Sequence, residues 1–342
     1  MSTAESRNHY KEVPTIEHYS EAIGITNRKK MDWRGWLRKS TLVRSQLIRG
    51  CMAEFLAVFV LMVFIEGSAA TAIFTNRRQD ILFGSISSGL GVAMAVYVAG
   101  GVSGAFLNPA VALAFAVLGK LSWKNCIFYM ISQYLAAFVA SCTMFAYLYE
   151  ALNNFDGGER QMFGPNGTAH IWSTYPQPFL SPHTAFADQV FCTAILLIVV
   201  LAMCDSKNWK PHNGFLPIAI GLLIITISCT LSYNAGAAMN PSRDLAPRFF
   251  SYLAGYGTEP FGVKGYTWFF VPVLGSHCGA IIGGAIYQLF IGGQWPDDTS
   301  DTNSVSSMSY NEDNSTLTKR KQVSNIVHDS KGAKGSSTAP VN

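Results

Sequence analysis

Between residues 50 and 292 the chain is dominated by long apolar stretches, at 51–65, 84–98, 127–149, 185–203, 215–232 and 268–291, with charges held mostly to the ends and the connecting loops. No soluble surface can be made from such a region, and each stretch approaches the roughly 20 residues a helix needs to cross a hydrocarbon core of about 30 Å. Two further apolar runs are too short to cross, and each opens on an Asn-Pro pair, at Asn108-Pro109-Ala110 and Asn240-Pro241-Ser242. As a helix, residues 110–118 rise only roughly 13 Å, so each run is half a membrane helix. Pro109 and Pro241 suit a first helical turn, where the missing N–H costs nothing, and Asn108 and Asn240 suit the cap, with their amides turned outward. Broken helices at matched positions of two halves point to a substrate path, because the positive end of each helix dipole faces the lumen.

The pattern predicts an all-α membrane protein with six transmembrane helices plus two half-helices. Composition agrees: of 342 residues, 49% are hydrophobic and only 13% charged. Glycines inside the stretches, such as Gly279, Gly283 and Gly284, fit close helix packing in lipid. The halves also repeat. Asn108 and Asn240 lie 132 residues apart, and Ala53-Glu54-Phe55-Leu56 is echoed by Asp188-Gln189-Val190-Phe191. Each half, about 47–150 and 183–292, supplies three spans with a half-helix between the second and third, and an odd number of spans makes the two repeats inverted.

Charge sets the expected orientation. Arg28, Lys29, Lys30, Arg34, Arg38, Lys39, Arg44 and Arg49 crowd the approach to the first span, which places the N-terminus in the cytoplasm, and six spans return the C-terminus there. Arg77 and Arg78 lie on the expected outer side and count against this, eight bases to two. The acceptor pattern Asn166-Gly167-Thr168 falls between spans three and four, outside, and makes Asn166 a glycosylation candidate; Asn314-Ser315-Thr316 is read as a chance match. The chain divides into a cytoplasmic arm (1–46), a channel domain (47–292) and a disordered cytoplasmic tail (293–342). No cleavable signal peptide precedes the first span. Trp33, Trp36 and Leu37 among bases suggest an interfacial helix in the arm, a plain polar arm being the alternative. A multi-pass protein of the cell membrane is expected.

Chemistry other than conduction finds little support. The seven cysteines fall in or at the ends of spans without metal-ligand spacing and read as small core residues, Cys229 among them. His277 reads as packed or hydrogen-bonded. Phosphate-binding, dinucleotide and zinc-protease motifs are absent. Neither an enzyme, a metal, a cofactor nor a nucleic-acid partner is expected.

The lumen can be argued from the residues. Asn108 and Asn240 offer amide N–H groups to a passing oxygen, loop carbonyls before each half-helix accept hydrogen bonds, and Arg243 with the two helix ends raises the barrier to cations and protons. Such a pore passes neutral solutes passively. Glu54, costly inside a span, is assigned to bracing a loop, since its echo Gln189 cannot ionise, and Asp244 to anchoring loop or basic groups. A secondary transporter also uses inverted repeats, but the ionisable candidates at mid-depth are only Glu54 and the Arg243-Asp244 pair; a structural or junctional membrane protein is the other alternative.

Residues 101–111, Gly-Val-Ser-Gly-Ala-Phe-Leu-Asn-Pro-Ala-Val, and 236–244, Gly-Ala-Ala-Met-Asn-Pro-Ser-Arg-Asp, closely resemble the two signature loops of the aquaporin, or major intrinsic protein, family. The resemblance covers about 47–292 and implies a six-helix bundle with a pore in each protomer of a homotetramer. Asp244 after Arg243, Arg248 after Pro247, and Pro272-Val273 resemble the glycerol-conducting branch, the aquaglyceroporins. By alignment the outer selectivity filter is Ser88, Ser228, Ala237 and Arg243. The Arg matches, whereas two hydroxyls and a methyl replace the aromatic wall usual in glycerol channels. The filter implied is wider and more polar, open to glycerol, water, urea or hydrogen peroxide. Tyr97, Phe106 and Tyr233 are the aromatics able to narrow it by swinging in, which would give a water-selective member instead. Phe106 also stands where the family commonly has His, and Ser242 where it has Ala.

Overall fold

The structure, a computed structural model, describes residues 33–78 and 80–296, which fall in two compact units meeting at Arg49 and Gly50. The arm before Trp33, the tail after Pro296 and Asn314 lie outside the described residues. In the first unit, helix α1 (Trp33–Thr41) carries exposed Trp33 and Leu37.

Helix α2 (Gln46–Phe74) begins in the first unit and runs on through the second. The second unit continues with α3 (Ile81–Ala99), the short α4 (Pro109–Val117), α5 (Trp123–Asp156), α6 (Pro182–Cys204), α7 (Leu216–Leu231), the short α8 (Pro241–Ser251), α9 (Glu259–Tyr266) and α10 (Phe270–Phe290). Among the described residues, five helices are long and apolar enough to cross a membrane; α7 is the sixth apolar helix, rising roughly 24 Å. Local chemistry fixes the ends. Asp80, Ser122 and Ser181 cap α3, α5 and α6 by accepting the N–H of the third residue on, and Gly157 closes α5 in the left-handed region at φ 73°.

Two expected boundaries are corrected. The first span does not stop at residue 65: α2 continues through Glu66 to Phe74, and the carboxyl is fully buried, bonded to Ser141 of α5. Residues 293–296 do not belong to a featureless tail, because Trp295 donates its indole N–H to Asp205 and Lys207 donates to the Pro296 carbonyl.

The helices pair both within and between the halves. α3 crosses α7 where Gly89 and Gly221 lie against each other's backbone, so closely that a Cβ on Gly89 would overlap the Gly221 carbonyl oxygen. α10 lies on α6 through Gly275, Gly279 and Gly283; a Cβ on the last two would overlap the carbonyls of Val190 and Ala194. Without a hydrophobic drive between helices in lipid, such backbone approach supplies dispersion contact. On the other side α2 meets α5 through Ala57, Ala136, Ala137 and Ala140, in one buried cluster. Many large apolar side chains, including Leu56, Phe64, Leu135 and Leu274, point outward. So do Cys142, Cys229 and Cys278, which corrects their reading as core residues: each sits on the outward face of its helix, while Cys126 and Cys192 are buried.

Candidate solute pathway between two half-helices

Asn108 and Asn240 cap α4 and α8 in extended backbone, each side-chain oxygen accepting from the helix it opens: Ala110 N–H on Asn108, and Ser242 and Arg243 N–H on Asn240. The Ser242 hydroxyl adds a third donor to Asn240, at 2.9 Å. The amide nitrogens cross between the halves. Asn108 Nδ2 donates to the Met239 carbonyl at 2.8 Å, and Asn240 Nδ2 to the Leu107 carbonyl at 2.9 Å. One N–H of each amide is thereby committed to the opposite loop, leaving a single N–H for any solute; the half-helices meet cap to cap.

The two loops have the same shape. Positive φ occurs at Gly104, Ala105 and Leu107, and again at Gly236, Ala237 and Met239, residue for residue at the repeat spacing. Outside glycine this backbone is costly, and it persists only where surroundings fix it. The fixing groups are visible. Glu54 accepts from the Phe106 N–H (2.9 Å), the Leu107 N–H (2.8 Å), Ser103 and Gln133, while Gln189 accepts from the Met239 N–H at 3.4 Å. Glu54 and Gln189 are both fully buried.

A cavity of about 150 Å³ runs beside the caps, roughly ten times the ~15 Å³ that holds one water. Its wall brings together Asn108, Asn240, Ser88, Ser228, Ala237 and Arg243. Residues 105–108 and 236–240 also border it, as do the apolar residues Leu61, Val92 and Leu196. Of the aromatics able to narrow it, only Phe106 reaches the wall, where its ring packs on Phe115 and Tyr129. The Tyr97 hydroxyl donates to the Gly214 carbonyl, and Tyr233 packs against Phe179.

Arg243 donates through Nη1 to the Trp172 carbonyl at 3.3 Å and makes no ion pair with Asp244. Asp244 instead accepts from Arg248, and from the N–H and hydroxyl of Thr174, while Arg248 also donates to the carbonyls of Thr174 and Pro260. Pro272 is buried in the first turn of α10, and Asn166 is exposed in the α5–α6 connection. That connection is tied down by Arg78, which donates to the carbonyls of Gly164 and Pro165; Arg78, one of the two bases counting against the expected orientation, thus has a local task. In the same connection His170 packs edge-on to Phe163 and Tyr175. His277 is hydrogen-bonded through Nδ1 to the Val273 carbonyl, at 2.8 Å.

Sequence reasoning missed Glu66, taking it for the end of a span, and did not count Arg248 among the mid-depth charges. The available signal was the apolar run on both sides of Glu66, from Phe55 to Ile65 and Gly67 to Phe74. Among the described residues no cluster of side chains suits a metal ion.

Apolar helices packed around two half-helices that meet cap to cap beside a lumen define the class: a multi-pass membrane channel, not an enzyme. The family model described as "Major intrinsic protein" matches residues 41–287, and the chain belongs to that family. It is 69% identical to "Aquaporin-2" of Milnesium tardigradum over 90% of this chain and 97% of the relative. It is 46% identical to "Aquaporin-9" of Homo sapiens over 74% of this chain and 86% of the relative. Among solved structures it is similar to the aquaglyceroporin from Plasmodium falciparum, with a TM-score of 0.65 and 31% identity, covering 72% of this chain and 97% of the other.

Proposed function

We propose that the protein is a passive channel for glycerol and water, and for other neutral solutes of similar size such as urea or hydrogen peroxide, with Ser88, Ser228, Ala237 and Arg243 as its selectivity filter. The observation that carries this reading is the cavity wall itself: three of the four filter positions hold a hydroxymethyl or methyl group beside one guanidinium, and neither Tyr97 nor Tyr233 closes the space. A polyol needs donors and acceptors along one side and apolar surface along the other. Arg243 and the free amide N–H groups of Asn108 and Asn240 donate, loop carbonyls accept, and Leu61, Val92 and Leu196 meet the carbon backbone. The solute exchanges water partners for protein partners at little net cost. Cations and protons meet two helix N-termini and a fixed positive charge. The kinship with a solved aquaglyceroporin supports glycerol as a solute.

The assembly belongs to the same reading: a homotetramer in the cell membrane, both termini cytoplasmic, with α1 at the headgroup layer and Asn166 outside, available for glycosylation. The channel domain begins at about 47 and takes in residues 293–296 beyond the expected end at 292, with a cytoplasmic arm before it and a cytoplasmic tail after it.

Stopped-flow light scattering on proteoliposomes tests it. Glycerol uptake and water efflux both rise well above protein-free vesicles with weak temperature dependence, and both fall in an Asn108→Asp, Asn240→Asp double variant, which cannot donate to the opposite loops. Fast water movement with glycerol excluded would overturn the glycerol assignment, and flux of neither would overturn the channel reading.

A further inference from the structure

α2 presents Ile65 to the cavity, and the next residue round the helix is Glu66, fully buried and out of the lumen. Its Oε1 lies 2.5 Å from the Ser141 hydroxyl, while Oε2 has no partner at all. A carboxyl in a membrane span is expensive, and an oxygen left unpaired adds to the cost. The groups around it are few: Ser141 from α5, whose neighbour Cys142 turns outward, and Arg243 from α8, close enough to interact through space without an ion pair. The hydroxyl geometry accommodates two states. Ser141 Oγ lies 2.5 Å from Glu66 and 3.0 Å from the Ala137 carbonyl and has one proton to give. With Glu66 ionised, Ser141 donates to it; with Glu66 protonated, the acid donates to Ser141, which turns its own proton to Ala137.

Resting on the reading of Arg243 as the charged wall of the pore, we infer that Glu66 is a positioning residue for solute specificity, its protonation state setting how much of the Arg243 charge a permeating solute meets. Ionised, the carboxylate behind the wall offsets the guanidinium and holds anions out by removing their attraction. Protonated, it leaves the guanidinium unopposed, so small anions are favoured relative to neutral solutes while cations are held off more strongly. Nothing in the loops or the caps has to move.

The test is the ratio of chloride to glycerol permeability in proteoliposomes, read with an encapsulated chloride-sensitive dye and by light scattering, between pH 9 and pH 5. Chloride does not titrate in this range, and the profile is repeated in a His170→Gln background so that this imidazole, exposed in the α5–α6 connection, makes no contribution. In the wild type the ratio rises about tenfold on acidification, the change that one unit charge about 12 Å from the permeating ion gives at an effective dielectric of about 20. Glu66→Gln keeps the shape and holds the high ratio at every pH. Ser141→Ala retains the response but displaces its midpoint, because the ionised form loses its donor. A flat wild-type profile, an unchanged response in Glu66→Gln, or chloride movement indistinguishable from protein-free vesicles at pH 5 would each refute the role of Glu66. Loss of glycerol and water flux in the wild type would refute the channel reading instead.

Discussion

Asp244 and Arg248 sit four residues apart in a half-helix, both side chains without solvent exposure, joined at 2.7 Å. Two charges withdrawn from water are tolerated only when every donor and acceptor is used. Here the pair ties α8 to Thr174 in the α5–α6 connection and to Pro260 in α9, and Trp268 donates to the same Thr174 carbonyl. Asp244→Ala strands the guanidinium and lowers stability by about 3–5 kcal/mol, read as a lower unfolding temperature in detergent; adding Arg248→Met recovers much of it. Asp244 was legible as a charge in an apolar region, assigned to anchoring loop or basic groups, whereas Arg248 was read only as a mark of the family branch and not as its partner. Thr174, Pro260 and Trp268 were not legible, since each is a loop or helix-end residue whose part depends on a chain reversal that periodicity does not encode. Glu66 was misread for the opposite reason: a charge in an apolar run looks like the end of a span unless its partner, 75 residues away at Ser141, is known.

At the scale of elements, α4 and α8 were the most legible parts of the molecule. An Asn cap followed by Pro at the first helical position is a local rule, and both helices begin where it puts them. Helices α2, α3, α5 and α6 overrun their apolar stretches, α5 by several residues at each end, because helix hydrogen bonds continue into the polar zone while hydropathy does not. The positive φ at Ala105, Leu107, Ala237 and Met239 carries no residue signal, as only glycine advertises that backbone. Packing follows the glycines unequally. Gly279→Val drives a side chain into the Val190 carbonyl and separates α10 from α6, costing about 1–3 kcal/mol or more and reducing the yield of monodisperse protein. Gly84→Ala in α3, with open space around its would-be Cβ, is neutral or stabilises by up to about 1 kcal/mol in the same assay.

The whole molecule is two copies of one plan joined at the middle. Glu54 and Gln189 brace equivalent loops, the loops bend at equivalent residues, and Asn108 and Asn240 each bond the other half. This symmetry was readable from the 132-residue spacing of the Asn-Pro pairs, together with the odd number of spans in each half. The width of the lumen was not, because it depends on where the rings of Tyr97, Phe106 and Tyr233 rest. In the fold Tyr97 and Tyr233 are engaged elsewhere while Phe106 reaches the wall, and three of the four positions proposed as the filter carry small side chains. The most direct measurement is therefore the ratio of glycerol to water permeability in the wild type and in a Ser88→Phe, Ser228→His double variant, which puts two rings into the wall. A pore limited at these residues loses glycerol flux by about tenfold or more while water continues to pass, so the ratio falls. An unchanged ratio would contradict the assignment, since the narrowest passage would then lie elsewhere in the lumen.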